Sequence, residues 1–196
     1  MSKLHQRDDG YWFYPVKDFV YDKAYFDKYK QYTQTKSGEL LLQTRLNIIK
    51  SYTKLLDIGV GSGHLIDSKV NAKGFDVNPY TVKKLQTENR WFDPYNSNVN
   101  QFDVITFFDS FEHIESPNIL LSKIISPTIV IAIPIFTDYN NLLQSKHYRQ
   151  DEHFHYFTFL GFLKYMKYQG FICQYISDGE IKAGRESVWT FVFRRY

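Results

Sequence analysis

Lys54-Leu55-Leu56-Asp57-Ile58-Gly59-Val60-Gly61-Ser62-Gly63 is the stretch that decides the fold. An apolar run that closes on an acid and passes into three alternate glycines reads as a buried strand and a tight turn, because glycine lets the backbone reverse sharply and approach a ligand closely. Three further apolar runs follow, Lys73-Gly74-Phe75-Asp76-Val77, Asp103-Val104-Ile105-Thr106-Phe107-Phe108 and Thr128-Ile129-Val130-Ile131-Ala132-Ile133, and these also read as buried strands. Between them, residues 79–89 and 117–125 have helical spacing, each opened by a proline after Asn78 or Ser116. Strands alternating with helices predict an α/β fold with a parallel sheet. After Pro134 the pattern becomes a polar loop, a helix over 158–169 and two strands over 171–176 and 188–194. Asp178-Gly179 and Ala183-Gly184 between those strands predict an antiparallel hairpin at the sheet edge.

The loop chemistry narrows the ligand. A dinucleotide fingerprint would want a glycine at His64 for close packing beside a pyrophosphate, and His64 is bulky. Asp76 ends the second strand nineteen residues after Asp57, where a carboxylate accepts hydrogen bonds from ribose hydroxyls. Together they point to an adenosine ligand without a pyrophosphate, the alternative being a purely structural turn.

Composition bounds the rest. The 196 residues, with 24 Lys+Arg against 21 Asp+Glu, fit one globular domain. A pI near 8.7 without a basic arm gives no reason to expect nucleic-acid binding. Cys173 is the only cysteine, which excludes intramolecular disulfides, iron–sulfur clusters and thiolate zinc sites, and no metal site is expected. No long apolar run and a polar N-terminus predict a cytoplasmic protein without membrane attachment. Aromatic residues make up 18% of the chain, more than a core alone requires. Many lie in residues 1–51, expected to form a helical, aromatic cap on a catalytic core at 52–196. Tyr25, Phe26 and Tyr29 suit one helix, and Leu41, Leu42, Arg45, Leu46, Ile48 and Ile49 a second. Tyr11, Tyr14, Tyr21, Tyr25, Tyr29 and Tyr32 are candidates for a lid, with scaffold as the alternative role.

The glycine run, Gly74-Phe75-Asp76-Val77-Asn78-Pro79 and Phe102-Asp103-Val104-Ile105-Thr106-Phe107-Phe108-Asp109-Ser110-Phe111-Glu112-His113-Ile114 resemble, in order and spacing, the class I S-adenosylmethionine-dependent methyltransferases. Asp151-Glu152-His153-Phe154-His155-Tyr156-Phe157-Thr158, Gly170-Phe171 and Gly184-Arg185-Glu186 are similar to a subgroup common in bacteria and phages. The resemblance implies a Rossmann-like, seven-stranded, mostly parallel sheet with one antiparallel strand, helices on both faces, and S-adenosyl-L-methionine at the carboxyl ends of the first strands. It further implies that Gly59, Gly61 and Gly63 pass under the methionine part and that Asp57 sits beside its amino group. Asp76 would take both ribose hydroxyls, Val77 would pack on adenine, Asp93 or Phe92 would face adenine, and Asp109 would line the methyl-transfer site.

Methyl transfer from a sulfonium is an in-line displacement in which positioning supplies much of the rate. An alcohol or protonated amine also profits from a general base, for which histidine is suited. His113 and His153 are the catalytic candidates, with helix capping and loop structure as their alternative roles. His147 and His155 share the later loop, and His5 lies in the tail. Lys146, Arg149 and Arg185, with Asp151 and Glu152, read as solvated surface or, facing the site, as anchors for an anionic acceptor. The expected reaction is transfer to oxygen or nitrogen of a small or medium-sized acceptor, with residues 146–157 closing the pocket. A nucleic-acid amino methyltransferase would carry Asp/Asn-Pro-Pro-Tyr where this chain has Phe108-Asp109-Ser110-Phe111. The near matches Asn78-Pro79-Tyr80 and Asp93-Pro94-Tyr95 follow the wrong strands, and Cys173 does not suit a cytosine C5 nucleophile. A nucleic-acid or protein methyltransferase and a non-catalytic cofactor-binding subunit are the alternatives.

Overall fold

The computed structural model describes residues 4–15 and 19–196. Along the chain run β1 (His5–Asp8), β2 (Tyr11–Phe13), α1 (Lys23–Thr33), α2 (Lys36–Ile49), β3 (Leu55–Ile58), α3 (His64–Asp67), β4 (Ala72–Phe75) and α4 (Pro79–Thr87). They are followed by β5 (Val104–Phe108), α5 (Pro117–Leu121), β6 (Thr128–Phe136), α6 (Tyr139–Gln144), β7 (His155–Thr158), α7 (Phe159–Tyr168), β8 (Phe171–Ser177), α8 (Gly179–Lys182) and β9 (Val188–Arg195). Helix starts follow local chemistry. Asp22, Thr35, Asn78, Asp138 and Thr158 each accept a backbone N–H of the first turn, satisfying donors the helix itself leaves unpaired.

The central sheet runs β4-β3-β5-β6 in parallel, and β9 enters antiparallel beside β6 with β8 outside it. The expected terminal hairpin is present. Because strand side chains alternate between faces, β6 sends Ile129, Ile131, Ile133 and Ile135 to one side and Val130 and Ala132 to the other. The first face packs against Phe162 and Met166 of α7 and Leu120 and Leu121 of α5. The second meets Leu42 and Ile49 of α2, Leu65 and Ile66 of α3 and Leu85 of α4. Burial on both faces is why these strands read as continuous apolar runs. No helix among the described residues is long and apolar enough to cross a membrane.

Two features depart from expectation. The third strand of the seven is reduced to one parallel bridge between Gly74 and Trp91. Pro94, which lacks an N–H, and the turn that Asp93 makes with Tyr95 and Asn96 leave no room for a longer ladder. The N-terminal segment, expected to be helical, begins instead with an antiparallel hairpin, and β2 pairs with β7 through Tyr11 to Phe157, Trp12 to Tyr156 and Phe13 to His155. Residues 1–3 and 16–18 of that segment lie outside the described residues. Asp9-Gly10 ahead of Tyr11-Trp12-Phe13 is a hairpin signal, with Gly10 at φ +75°, and the aromatic run favours a strand. The helical spacing further along masked it. β7 likewise occupies residues expected to be loop, and it extends the sheet through Ile135 and Phe136 of β6.

This hairpin is seated by a close backbone crossing. Thr158 donates its N–H to the Gly10 carbonyl at 2.7 Å, and a Cβ on Gly161 would lie 2.1 Å from that same oxygen. Since the obstacle is backbone, Gly161→Ala is expected to lower stability by about 1–3 kcal/mol through displacement of the hairpin. Chemical denaturation checks this, and an unshifted midpoint would mean that the crossing relaxes freely.

Candidate active site

The glycine run connects β3 to α3 with Gly59, Gly61 and Gly63 at φ +81°, +58° and +95°. They do different things. A side chain on Gly59 would strike Ser110 Cβ at 2.3 Å, and one on Gly63 would meet Lys84 Nζ at 2.9 Å, whereas Gly61 faces open space. Gly61 therefore leaves open space beside the loop, while its own N–H and carbonyl are taken by Asp76 and Thr81. Asp76 sits opposite, its Oδ2 accepting Gly61 N–H at 2.8 Å and its Oδ1 accepting Asn78 N–H at 2.7 Å. A carboxylate has about four lone-pair sites, and with the Val77 N–H also bearing on it acceptor capacity still remains for a ligand. Burial raises its pKa, opposed by those backbone donors. Asp57, at the end of β3, accepts Thr106 Oγ1–H at 2.6 Å, and burial pushes its carboxyl up to about 7 against that bond and the Arg45 charge. Two under-neutralised acids flanking an open glycine suit a ligand bearing hydroxyls and a cation. Val77 is 66% exposed. Phe92 packs edge-on against Phe102 with 4.9 Å between ring centroids, and Asp93 is occupied by Tyr95 N–H and the Asn96 side chain.

A second group gathers beyond β5. A turn of 3-10 helix from Phe111 to His113 places Glu112 and His113 beside His153, which precedes β7. The His113 and His153 rings stand edge-on at 4.5 Å, and one donor atom from each of the three side chains lies within 4.8 Å of the others. Phe154 N–H donates to the Glu112 carbonyl at 2.8 Å, which ties the two segments together. Burial lowers the pKa of His113 and takes that of His153 well below its usual value, while burial and the Asp109 charge push Glu112 up to about 8. Tyr21 roofs this group, with its hydroxyl 3.1 Å from His113 Nδ1. Tyr25 stands edge-on to Tyr21 at 5.1 Å and lies 4.7 Å from Tyr29. Burial raises the Tyr21 pKa, and the charges of Glu152, Asp76 and Glu112 add to the rise. Asn78 Nδ2 reaches the Asp22 carbonyl at 3.4 Å and joins this roof to the loop beside Asp76.

A family model described as methyltransferase domain matches residues 25–175, most of the chain. The chain belongs to that family. It is a class I S-adenosylmethionine-dependent methyltransferase. Among solved structures, magnesium protoporphyrin IX methyltransferase from Synechocystis PCC 6803 with bound SAH is similar at TM-score 0.63 and 10% identity, over 90% of this chain and 96% of that one. The Burkholderia thailandensis 1,6-didemethyltoxoflavin-N1-methyltransferase is similar at TM-score 0.59 and 12% identity, over 99% of both chains. The pyocyanin biosynthetic protein PhzM is similar at TM-score 0.60 and 14% identity over 91% of this chain, which spans 62% of that protein's length. No curated protein matches in sequence.

The methyltransferase fold here carries a charge network that sequence reading missed. Asp109, at φ +57°, receives Arg185 through both oxygens at 2.5 and 2.6 Å and Arg45 at 2.6 Å. Arg45 also donates to Glu180 at 2.7 Å and stacks on Phe108 at 4.6 Å. The two arginines hold the Asp109 carboxyl far below the usual carboxylate range, although burial opposes them. Arg185 is thus largely buried and bound to protein acids, correcting its expected surface role. Arg45 had been visible only as an interruption in an apolar helix stripe. Lys146 and Arg149 pair with Glu186 and Glu152. His147 Nε2 bonds the Glu186 carbonyl, and His155 is held by Tyr11 Oη and the Ile114 carbonyl.

Proposed function

We propose that this methyltransferase moves a methyl group to oxygen or nitrogen of a small or medium-sized acceptor, with Glu112, His113 and His153 holding the acceptor. The observation that carries the reading is the cluster of Tyr21, Tyr25 and Tyr29 packed against His113 and tied through Asp22 to Asn78 beside Asp76, which suits an enclosed acceptor better than a polymer. The names of the similar proteins denote small-molecule acceptors or pathways, which agrees with it. S-adenosylmethionine, when bound, supplies an electrophilic methyl on a sulfonium. The chain's own part is to hold it and exclude water: Gly61 leaves room for its close approach, Asp57 offers an anion to the amino group, and Asp76 its remaining acceptor capacity to the ribose. Gly59 and Gly63 shape the turn, while Val77 and Asp93 border the adenine end. Tyr21, Tyr25 and Tyr29 serve as lid, and Tyr11, stacked on Phe157 at 4.6 Å, as scaffold.

Titration calorimetry on Asp76→Ala is expected to show cofactor affinity weakened at least about tenfold, about 1.4 kcal/mol, from lost charge-assisted hydrogen bonds. Unchanged affinity in a folded variant would sink the ribose assignment. Transfer of radiolabelled methyl to a panel of phenols, hydroxy acids and amines tests the acceptor class. Labelling confined to protein or nucleic acid would overturn it.

A further inference from the structure

We propose that Glu112, His113 and His153 bind one divalent transition-metal ion, and that the acceptor is an oxygen compound held on that ion. Two imidazoles and one carboxylate are a donor set that leaves coordination positions open, as in catalytic zinc sites. Four observations point to an ion here. Glu112 is 2% exposed, and its Oε2 is buried with no hydrogen-bond partner among the described residues, an arrangement that costs free energy unless something binds it. His153 is 4% exposed and stands edge-on to His113 with 4.5 Å between ring centroids, with no hydrogen bond to its ring found among the described residues. The other two buried histidines, His147 and His155, have theirs. Finally, His113 is oriented by Tyr21 Oη on one nitrogen, the support a metal-bound imidazole ordinarily receives.

The geometry is close to what an ion needs. Metal bonds of about 2.0–2.2 Å put donors about 3.4 Å apart on a tetrahedral ion, so the 4.8 Å spread closes with side-chain rotations of about 1 Å. Asp109 is not a fourth ligand, since both its oxygens are taken by Arg45 and Arg185. An ion at this place acts as a Lewis acid toward an acceptor hydroxyl, which sheds its proton to solvent. The oxygen then forms the bond to the methyl carbon while the carbon–sulfur pair returns to sulfur. The acceptor assignment rests on the methyl-transfer reading, whereas the binding of the ion does not.

The test uses the untagged full chain after dialysis against a chelator, titrated with zinc chloride by calorimetry and with cobalt chloride by visible absorption. One equivalent is expected to bind, with a cobalt spectrum of nitrogen and oxygen ligation. Glu112→Gln, which keeps the shape, and His153→Ala should each weaken zinc at least tenfold, and the exposed His5→Ala should not. Equal zinc affinity in wild type, Glu112→Gln and His153→Ala, each shown folded by circular dichroism, overturns the site. Because no cofactor or acceptor is present, that failure leaves the methyl-transfer reading standing. Metal binding without transfer to any hydroxyl acceptor overturns the acceptor assignment instead.

Discussion

Replacing Arg45 by methionine is expected to cost about 3 kcal/mol of stability, as breaking a buried ion pair from one side does. The reason lies in the charges. Arg45 and Arg185 balance Asp109 and Glu180, and the Glu180 side chain is 0% exposed. Without Arg45, Glu180 keeps only Arg185 at 3.4 Å, and a desolvated carboxylate loses its closest partner. Arg45 belongs to α2 and Glu180 to α8, so the same change unfastens the N-terminal helices from the β8–β9 hairpin. Methionine retains the apolar contact with Phe108, so lost stacking is a small part of the effect. The double variant Arg45→Met/Glu180→Gln removes both charges and should recover much of the loss in urea denaturation. If the double variant is as unstable as the sum of the two single ones, the pair is not coupled and the network account is wrong.

Cofactor affinity should depend on pH through Asp57. Its carboxyl titrates at about 7 instead of 3.8 because burial disfavours the charge, with Thr106, Arg45 and Asp76 the polar and charged groups around it. The native chain thus keeps a proton there that the unfolded chain releases. Stability of the free protein from this group is full below 3.8 and is lost as pH rises to about 7. Cofactor binding runs the opposite way. The methionine ammonium requires the carboxylate, so affinity should rise about tenfold per pH unit up to 7 and then level off, about 100-fold between pH 5 and pH 8. Calorimetry across that range, with proton release read from buffers of different ionisation enthalpy, measures it. Asp57→Asn should bind weakly and with a flatter profile, Asp76 supplying the remainder. A flat wild-type profile would show that Asp57 does not meet the ammonium.

Most of the parallel sheet was legible because its strands are buried on both faces and their order is marked by short-range chemistry. Asp57 with three glycines, Pro79 after Asn78 and Pro117 after Ser116 each fix a local turn or helix start whatever surrounds them. The same locality made Gly61, Asp76, His113 and His153 visible as candidates. What stayed hidden depends on partners far away in sequence. β2 and β7 form only because they meet, and each alone is a short aromatic stretch. The Gly74 to Trp91 bridge shows the converse, a strand expected from family pattern that local proline and turn chemistry stops at one residue. The Arg45, Asp109, Glu180 and Arg185 network joins four segments, and charged side chains far apart in sequence carry no mark of which will pair. Residue type and spacing determined a glycine-rich loop on a parallel sheet. Only the tertiary structure decided that His153 stands beside Glu112 and His113 while His147 and His155 are tied to backbone, because a histidine's role is set by what reaches its ring nitrogens.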